Sequence, residues 1–315
     1  MSESNVMVYL MTGFLDSGKT EFLDFTLKQD YFQIDGKTLL ILCEEGETEY
    51  NPMELLKYGV VIERVEEQSD FTEEFLQELA EKHEPERVVV EYNGMWKVSD
   101  FENMKLPEGW EIEQKLTTVD ASTFQMYLAN LKPLFVEMVR GAEMVLFNRC
   151  EDLKPLPGYR RSVKVVSPQA EVIFEDENGE IENIFEDDVP FDLNAPVVTI
   201  EKEDYGIWYV DIMEHPERYD GKIIEYTAKA AKPAGFPSKV FYPGRMAMTC
   251  CADDMTFLGY VCKSAYAPKI KNGQWVKIRA KVRFANVSVY RGKGPVLEAE
   301  YIEPVEPIEE YVYFN

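Results

Sequence analysis

Short apolar runs alternate with helix-like segments over the first 186 residues. The first run, at 6–11, precedes a glycine-containing loop, and residues 19–28 then carry apolar side chains at helical spacing. Further runs of strand length lie at 38–43, 60–65, 87–91, 116–120, 144–148 and 162–166, with helix-like stretches at 71–83, capped by Ser69 or Asp70, and at 122–131 continuing through 133–140. Strands that alternate with helices predict an α/β domain with a mostly parallel sheet.

The pattern changes after about residue 186. Residues 187–206 hold two prolines, many acids and a single short apolar run, which is typical of a linker or of a crossing strand. β-Branched and aromatic runs between glycine and proline turns then cover 222–228, 239–251, 259–265, 274–285 and 295–302. Five short strands with a helical insert near 253–257 predict a small all-β, OB-like barrel. We expect an α/β domain over 1–186, a linker over 187–206 and a barrel domain over 207–315.

The formal charge is unevenly distributed along the chain. Residues 1–200 carry 42 Asp+Glu against 17 Lys+Arg, a net charge of −25, whereas residues 201–315 carry 16 of each. A strongly negative protein repels polyanions, and the second part has no dense run of Lys and Arg. Nucleic acid is therefore disfavoured as a partner.

Two other features bear on localisation. No apolar stretch approaches the ~18 residues of a membrane helix, and the acidic start of the chain is unlike a signal peptide. The five cysteines are odd in number and lack the spacing of a disulfide framework. The sequence predicts a cytoplasmic protein with free thiols and without direct membrane insertion.

Residues 13–20 read Gly-Phe-Leu-Asp-Ser-Gly-Lys-Thr, which matches the phosphate-binding pattern G-x-x-x-x-G-K-[ST] in full. Gly13 and Gly18 allow backbone torsions that aim N–H groups at phosphate oxygens. Lys19 reaches the β- and γ-phosphates, and the Thr20 hydroxyl is a ligand for Mg²⁺. The candidate nucleotide-binding residues of this loop are Gly13, Asp16, Ser17, Gly18, Lys19 and Thr20.

The apolar strand at 87–91 supplies a candidate Walker-B element. It ends in Glu91, whose carboxylate would hold a water bound to Mg²⁺. Gly94, three residues later, would offer its N–H to the γ-phosphate. The alternative is a strand that merely ends in an exposed Glu.

The strand at 144–148 ends in Asn148-Arg149-Cys150-Glu151-Asp152, close to the Asn-Lys-x-Asp pattern that reads guanine. Asn148 would contact the acceptor edge of the base. The acid that accepts the N–H groups of the base is either Glu151, in register, or Asp152, one residue late. Because Arg149 replaces the usual Lys, the choice between GTP and ATP stays open at this point.

These motifs together resemble the CobW-type P-loop GTPases, a family of metallochaperones linked to cobalamin, zinc and related metals. Over residues 6–186 the family's segments are matched by residues 13–20, Cys43-Glu44-Glu45-Gly46, Glu91-Tyr92-Asn93-Gly94, Val119-Asp120-Ala121 and the Asn148 segment. The resemblance implies a GTP- and Mg²⁺-dependent switch with moving segments near 44–51 and 94–98. The family's Cys-x-Cys-Cys motif is missing, because residues 60–71 contain no cysteine, so a thiolate metal site cannot form there.

Adjacent cysteines mark the second part of the chain. Residues 245–254 and their flanking segments resemble the C-terminal domain of a bacterial family of permease subunits, over about 205–303. The candidate soft-metal ligands are Cys250, Cys251 and Cys262, with Asp253 or Asp254 as a hard co-ligand. The alternative is structural, because adjacent strand residues point to opposite faces and free cysteines are common in cores.

The leading hypothesis is a cytoplasmic GTP-binding protein that acts as a slow, Mg²⁺-dependent hydrolase and nucleotide switch in metal homeostasis. Lys19, Thr20 and Glu91 are its candidate catalytic residues, GTP and Mg²⁺ its cofactors, and Zn²⁺ a further candidate metal. A metalloprotein or a membrane permease component is the expected protein partner. The alternative is a non-hydrolysing adaptor that keeps the P-loop fold while its barrel binds a protein partner or a metal complex.

Overall fold

The computed structural model describes residues 5–151, 156–181, 189–233, 235, 237–248, 255–290, 292–308 and 311–312. Contacts between Cα atoms divide the chain into two compact units, Met1–Ile184 and Phe185–Asn315. No helix in the described ranges combines the length and the apolar composition that a membrane span requires.

The first unit is a mostly parallel sheet covered by helices. Its strands are β1 (Val6–Thr12), β2 (Thr38–Leu42), β3 (Val60–Arg64), β4 (Arg87–Glu91), β5 (Trp110–Asp120), β6 (Met144–Asn148), β7 (Glu171–Asp176) and β8 (Gly179–Glu180). Its helices are α1 (Lys19–Leu27), α2 (Pro52–Leu55), α3 (Glu73–His83), α4 (Val98–Glu102), α5 (Phe124–Val139) and α6 (Leu156–Val166). The strand order is β3-β2-β4-β1-β5-β6-β7-β8, and only the β7–β8 pair is antiparallel among these neighbours. The predicted α/β class is confirmed.

Continuous apolar runs place β2 and β4 in the interior of this sheet, away from its edges. Every residue of both strands is buried, as expected for parallel strands that are covered on both faces. Because strand side chains alternate between faces, Val88 and Val90 belong to the core cluster that includes residues of α3 to α6, whereas Val89 belongs to the cluster with residues of α1 and α2.

The strand order determines which loops meet. β1 pairs with β4 on one side and with β5 on the other, so Met11 lies beside both Glu91 and Leu116. The carboxyl ends of parallel strands lie at one edge of a sheet, which is where ligands bind in open α/β folds. The loop after β1 therefore lies between the ends of β4 and β5.

Three helices differ locally from the sequence expectation. The run at 162–166, expected to be a strand, is the end of helix α6, whose residues Leu156, Tyr159 and Val163 are buried at helical spacing. Helix α3 is capped by Thr72, whose Oγ1 accepts a hydrogen bond from the Phe75 N–H, and not by Ser69 or Asp70, which lie in a preceding 3-10 turn. Helix α5 continues past Pro133, but Leu131 has φ −127° and ψ 30° because proline disrupts the preceding turn.

The second unit contains a closed barrel. Its elements are β9 (Val198–Thr199), α7 (Tyr205–Glu214), α8 (Pro216–Tyr219), β10 (Ile223–Ala231), β11 (Val240–Met248), β12 (Met255–Gly259), β13 (Val261–Lys263), β14 (Trp275–Val287) and β15 (Gly292–Pro304). The pairings run β10-β11-β13-β15-β14 and back to β10. Five strands therefore close on themselves, which confirms the small OB-like barrel.

Two strands of this unit, β12 and β9, bear on the sequence expectations. The helical insert predicted near 253–257 is wrong for Met255 to Phe257, which belong to β12 and pair antiparallel with β11. Its β-favouring residues satisfy their backbone groups along that strand. Within the range predicted as a linker, β9 pairs in parallel with Ile224 and Glu225.

An aromatic cluster in the first unit gives a test of its packing. Phe147 is fully buried, and its ring centroid lies 4.9 Å from that of Phe174 and 5.2 Å from that of Phe124. We expect Phe147→Ala to lower the free energy of unfolding by about 3–5 kcal/mol, because it leaves a cavity. Phe25 is 63% exposed, so Phe25→Ala should change it by only about 0.5 kcal/mol. The measurement is urea unfolding of each variant, monitored by circular dichroism. Equal shifts of the unfolding midpoint in Phe147→Ala and Phe25→Ala would contradict a buried, tightly packed position for Phe147.

Candidate nucleotide-binding site

The loop between β1 and α1 requires glycine at Gly18 for two reasons. Gly18 has φ 91°, in the left-handed region, and it caps the N-terminus of α1. A Cβ atom at this position would also lie 2.4 Å from Asn148 Nδ2. Nearby, Ser17 Oγ lies 2.9 Å from Thr118 Oγ1, so the loop is tied to β5. The residues that match the phosphate-binding pattern therefore form a loop whose backbone torsions require glycine at position 18.

Lys19 lies beneath this loop with its side chain only 3% exposed. Its Nζ donates to Gly13 O and to Phe14 O, at 3.0 Å in each case. Its third partner is Glu44 Oε2 at 2.5 Å, on a side chain that is 9% exposed. The other oxygen, Glu44 Oε1, accepts from the Gly94 N–H at 3.4 Å. One carboxylate therefore bridges the P-loop lysine and the glycine after β4.

Close packing explains the glycine at position 94. A Cβ atom there would lie 2.5 Å from Gly13 O and 2.8 Å from Phe14 Cα. The neighbouring Asn93 donates from Nδ2 to Cys43 O at 3.1 Å. The segments that follow β2 and β4 are consequently held together against the P-loop.

Glu91 and Thr20 bring hard oxygen atoms together beside the same loop. Thr20 Oγ1 donates to Glu91 Oε1 at 2.7 Å, and Tyr50 Oη donates to Glu91 Oε2 at 2.5 Å. Burial raises the pKa of Glu91, and the hydrogen bonds from Tyr50 and Thr20 only partly offset that effect. Hydroxyl and carboxylate oxygens are the ligands that Mg²⁺ prefers, so these residues fit a magnesium ion.

The end of β6 contacts the opposite side of the loop. Asn148 Nδ2 donates to Ser17 O at 2.8 Å, whereas Asn148 Oδ1 is buried and accepts no hydrogen bond from the described residues. Arg149, with φ 54°, donates from Nη1 to Asp16 O at 2.8 Å and to Asp120 Oδ2 at 2.7 Å. Arg149 thereby clamps the loop to the end of β5.

Asp120 is the anchor of this clamp. Burial opposes its ionisation, but hydrogen bonds from Ser122 and Arg149 outweigh burial and hold the pKa of the Asp120 carboxyl below its usual value. The ion pair is therefore present at neutral pH. Glu151 is exposed, and Asp152 lies outside the described residues.

The candidate thiol ligands of the second unit do not form a described site. Cys250, Cys251, Asp253 and Asp254 lie outside the described residues. Cys262 is fully buried in β13, and burial raises the pKa of its thiol. Within the part of the chain that the structure describes, no group of three or more His, Cys, Asp or Glu side chains is arranged to hold a metal ion.

Three contacts of the site were missed by the sequence reasoning. They are the pairing of Glu44 with Lys19, the hydrogen bond from Tyr50 to Glu91, and the clamp formed by Arg149. Each joins residues far apart in sequence, so no spacing pattern could signal them. They follow from strand neighbours that only the sheet order reveals.

Family models match almost the whole chain in two parts. Residues 7–174, just over half of the chain, match the nucleotide-binding domain of CobW/HypB/UreG. The chain belongs to the CobW/HypB/UreG family. Residues 180–314 match the model described as the DUF1980 C-terminal domain. No curated protein sequence matched the chain. The site residues from Gly13 to Glu151 all lie within the CobW/HypB/UreG match.

Several solved structures are similar to this CobW/HypB/UreG-family chain. The hydrogenase maturation factor HypB from Archaeoglobus fulgidus has 14% identity and a TM-score of 0.41, covering 56% of this chain and 83% of its own. The Zn(II)-bound YjiA GTPase from E. coli has 16% identity and a TM-score of 0.44, covering 81% and 89%. HypB from Helicobacter pylori in complex with nickel has 10% identity and a TM-score of 0.33, covering 56% and 80%.

The raised pKa of Glu91 makes a prediction about the nucleotide-free protein. A carboxyl whose pKa is raised by folding contributes its full stability at pH values below its ordinary pKa of 4.5. This contribution is lost as the pH rises through the pKa of the folded state. Glu91→Gln should therefore become more stable relative to wild type with rising pH, by about 1.4 kcal/mol per unit of pKa shift. Thermal unfolding in EDTA across pH 4.5 to 8, with Glu78→Gln on the exposed side of α3 as the control, measures the difference. A difference between Glu91→Gln and wild type that is constant with pH would contradict the buried, ionisable position.

Proposed function

We propose that this CobW/HypB/UreG-family chain binds GTP together with Mg²⁺ and hydrolyses it slowly, and that its nucleotide state governs the delivery of a metal ion to a partner protein. The observation that carries the proposal is the convergence of the Lys19 ammonium, the Gly94 N–H and the Thr20–Glu91 oxygen pair at one edge of the sheet. A lysine, an amide donor and hard oxygens are the groups that a triphosphate with Mg²⁺ needs.

Each residue has a distinct role in this proposal. The loop amides from Gly13 to Thr20 bind phosphate oxygens, and Lys19 reaches the β- and γ-phosphates. Thr20 and Glu91 would hold Mg²⁺, Glu91 through a water, and the bound ion would neutralise charge on the phosphates. Tyr50 orients the Glu91 carboxylate through its hydrogen bond.

The base would be read at the end of β6. Asn148 Nδ2 donates one of its two N–H groups to Ser17 O, so the second N–H would donate to the acceptor edge of guanine. Glu151, three residues along the chain, is exposed and would accept the N–H groups of guanine. Arg149 takes the place of the family's lysine and holds the loop that the base would cover.

Family membership supports the remaining parts of the proposal. P-loop GTPases that lack an arginine finger of their own turn over slowly until a partner supplies one, so slow hydrolysis is expected here. The metal ion is cargo, with Zn²⁺ as the leading candidate and Cys250, Cys251 and Cys262 as candidate ligands. We expect the protein to act in the cytoplasm on a metalloprotein or on a permease component.

Parallel titrations test the nucleotide proposal. We expect mant-GTP with Mg²⁺ to bind more tightly than mant-ATP, and EDTA to weaken binding. Lys19→Ala should weaken binding by about 10- to 100-fold, because it removes a charge-assisted hydrogen bond. Lys28→Ala is the matched control, since Lys28 caps the far end of α1 and pairs with Asp24 and Glu54.

Two outcomes would contradict the proposal. If neither nucleotide binds and Lys19→Ala changes nothing, the chain is a non-hydrolysing adaptor. Equal affinity for the two nucleotides would contradict guanine reading by Asn148 and Glu151. Elemental analysis of the purified full chain, with Cys250→Ser/Cys251→Ser as the comparison, measures bound Zn²⁺ separately from nucleotide.

A further inference from the structure

The Glu44 carboxylate lies between the two donors on which a γ-phosphate would depend. Its Oε2 is 2.5 Å from Lys19 Nζ, and its Oε1 is 3.4 Å from the Gly94 nitrogen. Both side chains of the ion pair are buried, at 3% and 9% exposed. A carboxylate and a phosphate oxygen pair share the same charge sign and the same ability to accept two hydrogen bonds.

We propose that Glu44 is an internal substitute for the γ-phosphate, and that it makes the site discriminate between nucleoside triphosphates and diphosphates. This inference rests on the proposed function. A diphosphate has no group for the space between Lys19 and Gly94, so Glu44 stays in place. A triphosphate has such a group, and it must displace Glu44 because two anions cannot share these donors.

The charge of Lys19 explains why the nucleotide-free protein needs a carboxylate in place of the γ-phosphate. Two of its three N–H donors are satisfied by the neutral carbonyl oxygens Gly13 O and Phe14 O. A buried ammonium without an anionic partner is strongly unfavourable. Glu44 supplies this negative charge when no γ-phosphate is bound. Because it competes with the γ-phosphate for Lys19, it lowers the affinity of the site for a triphosphate.

Beyond Glu44, the contacts that attach residues 45–48 are exposed to solvent. Cys43 N donates to Glu91 O at 2.9 Å, which fixes the start of the segment. Farther on, Glu47 N lies 3.4 Å from Asp16 Oδ1 and Thr48 Oγ1 lies 3.4 Å from Glu21 Oε1, and both contacts are exposed. Displacement of Glu44 therefore moves residues 44–49, and it does so for a triphosphate only.

Glu45 is a matched control one residue away. Its side chain is 68% exposed and pairs with Arg64 at 2.8 Å. Glu45→Gln removes the same charge from the same segment without touching Lys19. It thus separates contact with the P-loop from the net charge of the region.

The test is a comparison of dissociation constants in the full chain with Mg²⁺. Mant-GDP and the non-hydrolysable mant-GMPPNP are titrated into wild type, Glu44→Gln and Glu45→Gln. We expect Glu44→Gln to increase the preference for GMPPNP over GDP by about tenfold, since one charge-assisted competitor for Lys19 is removed. Glu45→Gln should leave the preference unchanged. Glu44→Asp keeps the charge but shortens the side chain, so its preference for GMPPNP over GDP should lie between those of wild type and Glu44→Gln. This second variant keeps the test valid if Glu44→Gln does not fold.

The outcomes are distinguishable. The inference would be overturned if Glu44→Gln raised the affinity for GDP and GMPPNP equally. It would also be overturned if Glu44→Gln selectively lost GMPPNP binding. The proposed nucleotide binding would stand in both cases. The same tenfold change in Glu45→Gln would overturn it as well, because net charge alone would then suffice. Absence of binding of either nucleotide to wild type would overturn the proposed function, and this inference with it.

Discussion

The Lys19 ammonium group carries a full positive charge at a position where its side chain is 3% exposed. Such a group needs oxygen partners on all sides, and one of them must be anionic. Two loop carbonyls and the Glu44 carboxylate meet this need. The packing of Gly94 against Gly13, the tether from Asn93 to Cys43 and the bridge through Glu44 all surround this one charge.

The sheet order makes that arrangement possible. β1 lies between β4 and β5, and β2 pairs with β4 on its other side. The segment after β2 therefore reaches Lys19 through Glu44, and the segment after β4 reaches the same Glu44 carboxylate through the Gly94 N–H. On the far side, Arg149 and Asn148 hold the loop from the end of β6. The P-loop is thus held between two sets of polar contacts, one from the segments after β2 and β4 and one from the end of β6.

The parallel sheet of the first unit and several of its candidate site residues could be predicted from the sequence. Fully apolar runs such as Val88 to Val90 indicate buried parallel strands, and parallel strands bring their carboxyl ends together. The P-loop was recognised from its residue spacing, and Glu91 and Asn148 from motifs at the ends of such strands. The bridge by Glu44 and the contact of Tyr50 were not, because they depend on which strands are neighbours. The helix expected near Met255 failed because a strand pairing that is remote in sequence overrode local propensity.

In the proposed discrimination between triphosphate and diphosphate, Lys19 exchanges Glu44 for a phosphate. Hydrogen–deuterium exchange of the full chain, saturated with Mg²⁺ and either GDP or GMPPNP, tests it most directly. We expect residues 44–49 to exchange at different rates with the two nucleotides, whereas β2 and α3 exchange alike. Identical exchange of residues 44–49 in the two complexes would contradict it.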